Sequence, residues 1–177
     1  MDQLPTILAN YQKLCGFYDS LWKRVRKAYP SEIACREGCG ICCELQSVNQ
    51  LEAHVIRSYI KNNDHKKILG DKENTSACPF LYNQSCRIYA ARPLICRTHG
   101  LILHSIEFTR TWHVATCPYN FPSHHPDDIP PELAIDADNA TKNLTNLNLA
   151  FCMVGGIDIR DEKQSRVPLK ELASLLG

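Results

Sequence analysis

A mainly α fold with short β-hairpins is predicted by three features of this chain. Two long stretches repeat apolar residues every three or four positions, the spacing of helices with one covered face. Between them, short β-prone runs are punctuated by turn residues. The repeated βα units of a parallel barrel are missing. At 177 residues the chain is expected to form a single domain, 1–177, able to bury a core without covalent help.

The first element is an amphipathic helix over residues 6–28. Leu8, Tyr11, Cys15, Tyr18, Trp22, Val25 and Tyr29 form its stripe, widened by Ile7, Leu14 and Leu21, and Pro30 ends it. Cys15 falls inside that stripe and reads as a small buried hydrophobe. A tight cysteine-rich loop follows. The next helix is expected after Ser47, whose hydroxyl and Gln50 match a capping box. Leu51, Val55, Ile56, Tyr59 and Ile60 make its inner face, with Glu52 and His54 turned outward or sideways. Residues 61–76 read as a polar loop or frayed helix.

Residues 79–82 and 86–89 flank Asn83-Gln84-Ser85 as a short hairpin. Residues 90–97 fit a helical turn with Pro93 near its start. Two short strands are expected over 101–108 and 111–116, then a proline-rich loop over 118–131. Residues 138–154 read as a helix with Leu144, Leu147, Phe151 and Val154 inward, ended by Gly155-Gly156. Cys152 belongs to that helix and reads as core. The tail is expected to hold an extended piece, 157–159, and a small helix, 169–176.

Charge and hydropathy narrow the classes. The formal net charge is +1, and no long basic run provides the footprint of a nucleic-acid binder. Lys23-Arg24-Val25-Arg26-Lys27 is read as the wet face of a helix. No run approaches the roughly 18 apolar residues of a membrane span, and the N-terminus lacks a secretory pattern. The expectation is a cytoplasmic protein with reduced thiols, no nucleic-acid partner and no membrane partner. An exported chain could pair its 10 cysteines as disulfides, but adjacent Cys42 and Cys43 make that framework awkward.

Setting Cys15 and Cys152 aside leaves Cys35, Cys39, Cys42, Cys43, Cys78, Cys86, Cys96 and Cys117, all in loops or at element ends. No packing requirement gathers four thiols into residues 35–43. The turn from Cys39 to Cys42 can aim two sulfurs at one point, the bite of a tetrahedral or iron–sulfur site. Gly38 and Gly40 are read as supplying positive-φ freedom around an ion. Cys78-Pro79 and Cys117-Pro118 stiffen the backbone beside a sulfur. These eight cysteines are the candidate metal ligands of one cysteine-rich metal-binding domain, its core at 35–117.

The order Cys35-x3-Cys39-Gly-x-Cys42-Cys43, then Cys78-Pro79-Phe80-Leu81, then the run from Cys86 through Ile88-Tyr89 and Arg92-Pro93 to Cys96-Arg97 resembles the family of zinc- or iron-chelating domains named for its CxxCxxCC motif, also called the YkgJ family. The similarity spans 35–117. Ala90 stands where that family usually carries an acid, and His99 where an aromatic is common. Flagellin lysine methylases resemble the family too, which leaves open a metal-dependent enzyme, oxidoreductase or methyl-transferring; a structural zinc module for protein binding is a further reading.

Eight thiolates could hold two zinc ions, or three close and one remote cysteine could hold a cubane cluster. Side chains of adjacent residues are expected to point apart, so Cys42 and Cys43 would serve different partners. The balance falls on a 4Fe-4S iron–sulfur cluster with a redox or electron-transfer role and a redox or protein partner; zinc is the alternative. His99 and His113 lie near the cysteine blocks as second candidates, while His124 and His125 are expected to be solvated. Arg92 and Arg97 are the cofactor-binding candidates, offsetting thiolate charge or fixing an anion. No Ser/His/Asp order, phosphate-cradling loop or nucleotide fingerprint points to conventional catalysis.

Overall fold

The apolar spacing that predicts the first helix also decides which of its faces is covered. In the computed structural model, which describes residues 3–63, 78–106, 113–161 and 165–174, helix α1 runs Leu4–Ala28. Ile7, Tyr11, Cys15, Tyr18, Leu21 and Val25 form its buried line in steps of three and four. Leu8, Leu14 and Trp22 sit half-buried at its margins. The fold is mainly α with small sheets of two or three strands, as predicted. The chain divides into two compact units: residues 1–4, 37–93 and 148–177, and residues 5–36 and 94–147.

In the first unit, strand β1 (Ser47–Asn49) leads directly into helix α2 (Gln50–Asn62). The capping-box expectation is corrected here. Asn49 caps α2, its side-chain carbonyl accepting from Glu52 N at 2.9 Å. Ser47 lies in the strand instead, its hydroxyl accepting from Arg166 Nε at 2.8 Å. Glu52, expected to turn outward or sideways, is 5% exposed. Its position beside Leu51 and Ala53 puts it on the covered side of the first turn. Lys61 and Asn62 close the helix, Asn63 caps it, and the rest of 61–76 lies outside the described residues.

The hairpin forms as predicted, with β2 (Leu81–Tyr82) antiparallel to β3 (Ser85–Cys86). Asn83 and Gln84 both take positive φ, 46° and 59°, the conformation that matches a two-residue turn to the strand twist. A 3-10 turn, Tyr89–Ala91, follows. Near the C-terminus, β7 (Arg166–Pro168) pairs antiparallel with β1, Val48 opposite Val167, and helix α5 (Leu169–Ser174) follows at once. The extended tail piece therefore sits at 166–168, whereas 157–159 enters a turn where Asp158 holds Arg160 at 2.8 Å. Val48, Ile56, Ile60, Phe80, Ile88, Val167, Leu169 and Leu172 make this unit's core, and Cys78 and Cys86 pack against it.

In the second unit, helix α3 (Leu94–Thr98) follows Pro93, and β4 (Leu103–Ser105) pairs antiparallel with β5 (His113–Ala115). Strand β6 (Ile135–Asp136), absent from the sequence expectation, lies parallel to β4. Two residues are too few to alternate visibly. The proline-rich segment carries two 3-10 turns, Pro126–Asp128 and Pro131–Leu133. Helix α4 spans Ala137–Gly155, its residues up to 147 in this unit and the rest in the first. Phe151 and Cys152 are buried as expected, but Val154 is 44% exposed. Val154 is the penultimate residue of the helix, beside the terminal Gly155. Among the described residues, no helix is long and apolar enough to cross a membrane.

Candidate metal centre

Two glycines shape the cysteine loop for different reasons. Gly38 has φ +89°, the left-handed conformation expected of it. Gly40 is not in that region, so the expectation of positive φ is corrected there. A Cβ on Gly40 would stand 2.9 Å from Leu81 Cδ2, so a larger residue there must displace the Leu81 side chain of the hairpin. Cys43 N donates to Gly40 O at 3.0 Å, closing a turn over the intervening residues. In that turn the thiols of Cys42 and Cys43 lie within hydrogen-bond reach. The expectation that they point apart fails because opposed neighbours belong to extended strands.

Cys43 is the hub of a four-thiol group. The hydrogen bond to Cys42 pushes its thiol far above the ordinary range. Burial adds to the rise, as do the charges of Cys42, Cys78 and Cys86. Cys78 and Cys86 are raised by burial too, yet each receives backbone donors. The N–H groups of Phe80 and Leu81 favour a Cys78 thiolate, and that of Ile88 favours a Cys86 thiolate. These donors exist because the chain turns tightly after each cysteine. Leu81 N also bonds to Cys78 O at 3.1 Å, and Arg87 N to Phe80 O at 2.8 Å.

Positive charge is close by. The Arg92 guanidinium lowers the Cys86 pKa, donates to Tyr89 O at 2.9 Å and lies 4.0 Å from the Tyr89 ring centre. Arg87 sits 4.4 Å from the centre of the Tyr82 ring. Cys39, half-buried, belongs to the same loop. Among the described residues, no three His, Cys, Asp or Glu side chains close on a single point as they would around a bound ion. Cys42, Cys78 and Cys86 are near enough for their charges to raise the Cys43 pKa, without converging on one point.

The other three predicted ligands belong to the second unit. Cys35 is half-buried just before the loop, Cys96 is exposed on α3, and Cys117 is half-buried after β5. Arg97, 7% exposed, engages Asp19 of α1, with Nη1 to Oδ2 at 2.5 Å. Trp22 Nε1 donates to the Arg97 carbonyl at 2.7 Å. His99 is exposed. His113 contributes backbone to β5. His124 is exposed, as expected, and also faces Glu32 at 3.2 Å and meets the Tyr29 ring edge-on at 5.2 Å. His125 stays exposed.

Sequence reasoning missed Asn120, 3% exposed and in contact with Cys35. A polar residue three after Cys117-Pro118 was the available signal.

The donor set fits a thiophilic ion. Thiolates select zinc and iron–sulfur groups, and hard oxygen-seeking cations find no partner among them. The raised thiols hold their protons until a cation displaces them, and backbone N–H groups are already directed at two of the sulfurs.

No curated protein and no solved structure matches this chain. A family model described as "Putative zinc- or iron-chelating domain", named CxxCxxCC, matches residues 34–118 and so takes in all eight candidate ligands. Residues 34–118 thus match the CxxCxxCC family model of zinc- or iron-chelating domains.

Proposed function

We propose that this protein holds an iron–sulfur cluster of the 4Fe-4S type through cysteine thiolates and passes electrons, zinc being the alternative occupant. The observation that carries the reading is that Cys42, Cys43, Cys78 and Cys86 belong to one unit, Cys78 and Cys86 packed on its core and the Cys42 and Cys43 thiols within hydrogen-bond reach of each other. A polynuclear group suits adjacent Cys42 and Cys43, because sulfurs one peptide apart need not meet at one metal atom. Cys39 of the same unit, and Cys35, Cys96 and Cys117 of the second unit, are the remaining proposed ligands.

An iron–sulfur group supplies one-electron transfer when bound. The chain's part is to fix the sulfurs, shield them with the core behind Cys78 and Cys86, and offset their charge with Arg92. Arg97, next to Cys96 in sequence, acts on the bound group through the backbone it anchors to α1. In this reading 1–177 is one cytoplasmic domain with its chelating core at 35–117. Its partner is a redox or other protein, with neither nucleic acid nor membrane involved.

The test is elemental analysis, labile-sulfide assay and visible absorption on protein purified without oxygen. Iron with matching sulfide and a brown colour supports the cluster. Stoichiometric zinc in colourless protein keeps chelation and overturns the electron-transfer role. A folded chain that takes up neither metal overturns both.

A further inference from the structure

We infer that Asn120 is the positioning residue for the Cys35 sulfur, aligning it as a ligand; this rests on the reading of Cys35 as a metal-binding thiolate. Three segments of the second unit carry candidate ligands, and Asn120 touches each segment. Its Oδ1 accepts from Ala34 N at 2.9 Å, beside Cys35 in sequence. Its Nδ2 donates to Gly100 O at 2.6 Å, in the turn after the helix that carries Cys96. The same Nδ2 donates to Cys35 Sγ at 3.4 Å. Its backbone N bonds to Cys117 O at 2.9 Å.

The amide orientation is forced, because Ala34 N can only donate and Gly100 O can only accept. Both protons of Nδ2 and the carbonyl are thus engaged at a place nearly closed to water. Aspartate has the shape but lacks the donors. Serine has one donor and is too short. Of the side chains this small, only an asparagine amide makes all three contacts.

The surroundings keep the sulfur where Asn120 can reach it. Gly100 has φ +89°, and a Cβ there would stand 2.9 Å from Cys35 Sγ and 3.1 Å from Asn120 Nδ2. Arg26 Nη2 donates to Cys35 O at 2.9 Å and fixes the backbone from the other side. An N–H aimed at a ligand sulfur orients it and offsets its charge. Losing such an outer partner typically weakens metal affinity about 10–100-fold.

The experiment is chelator competition for zinc alone, with thermal unfolding of each variant in parallel. Asn120→Asp and Asn120→Ala are both expected to weaken zinc retention about 10–100-fold. Asn120→Asp retains the volume and the acceptor for Ala34, so it serves if Asn120→Ala fails to fold. Glu32→Gln is the structural control: it loosens the contact to Ser123 N, 3.0 Å in the wild type, and should lower the melting temperature without altering zinc affinity.

Asn120 variants that lose stability like Glu32→Gln while keeping wild-type affinity would overturn the inference. Cys35→Ser separates the two readings. If it retains wild-type affinity, the ligand assignment of Cys35 is wrong; if it loses zinc while both Asn120 variants do not, only the positioning role fails.

Discussion

Arg97 Nη1 lies 2.5 Å from Asp19 Oδ2, an ion pair formed across 78 residues of sequence. The arginine is nearly buried and the aspartate about a third exposed at its side chain. Removing either partner has unequal consequences, because an uncompensated buried charge costs more than an exposed one. Asp19→Ala should therefore destabilise at least as much as Arg97→Met, by about 2 kcal/mol after allowing for solvent at the aspartate. Urea unfolding of the two variants checks the order. A milder Asp19→Ala would show that the guanidinium finds other support.

Cys43 and Cys15 should behave oppositely. Cys43 is electrostatically joined to three thiols, whereas Cys15 is 6% exposed on the covered line of α1. Cys43→Ser is expected to release metal and lower the melting temperature, since metal binding and folding are coupled. Cys15→Ala should cost about 1 kcal/mol of packing and leave metal content unchanged. Metal per chain, measured by elemental analysis after gel filtration, distinguishes them.

The metal-free protein should weaken in alkali. Folding raises the thiol pKa values of Cys43, Cys78, Cys86 and Cys152 above the ordinary value of 9.0. A raised acid holds its proton more tightly when folded, so this contribution is complete below the ordinary thiol range. It is lost as pH climbs from there toward the folded-state values. Melting temperature of the metal-free chain should fall over that window. In the metal-loaded chain the ligand thiols are already deprotonated, so the fall should be smaller. Equal alkaline slopes for both forms would contradict this.

Gly40→Ala tests the close approach of loop and hairpin. The new methyl would meet Leu81 Cδ2 at 2.9 Å and Cδ1 at 3.4 Å. The expected destabilisation is about 1–2 kcal/mol. Leu81→Val in the same chain should recover part of it. A double-mutant cycle by thermal unfolding that returns strict additivity would place the strain elsewhere.

Local rules carried the sequence reading where the relevant neighbours are close along the chain. Helix α1, the 83–84 turn and the core assignment of Cys15 and Cys152 each depend on a period or a turn preference confined to a few residues. The same rules misled at Ser47, which matches a capping box. A β-partner 119 residues away holds its hydroxyl, and Asn49 caps the helix. They misled again at Cys42 and Cys43, where alternation valid for strands was applied to a turn.

That these cysteines fall in a zinc- or iron-chelating type of domain was readable from the sequence, because eight of them lie outside the helical stripes at the spacing the family model matches. How the thiols divide was not readable. Cys42, Cys43, Cys78 and Cys86 form a group because the hairpin packs on the core of one unit, while Asn120 reaches Cys35 in the other. Such associations depend on chain closure over tens of residues, and no local propensity encodes which distant backbone amide will face a given sulfur. Thiol chemistry is a property of composition and spacing; the donors that tune each thiol exist only once the chain has folded.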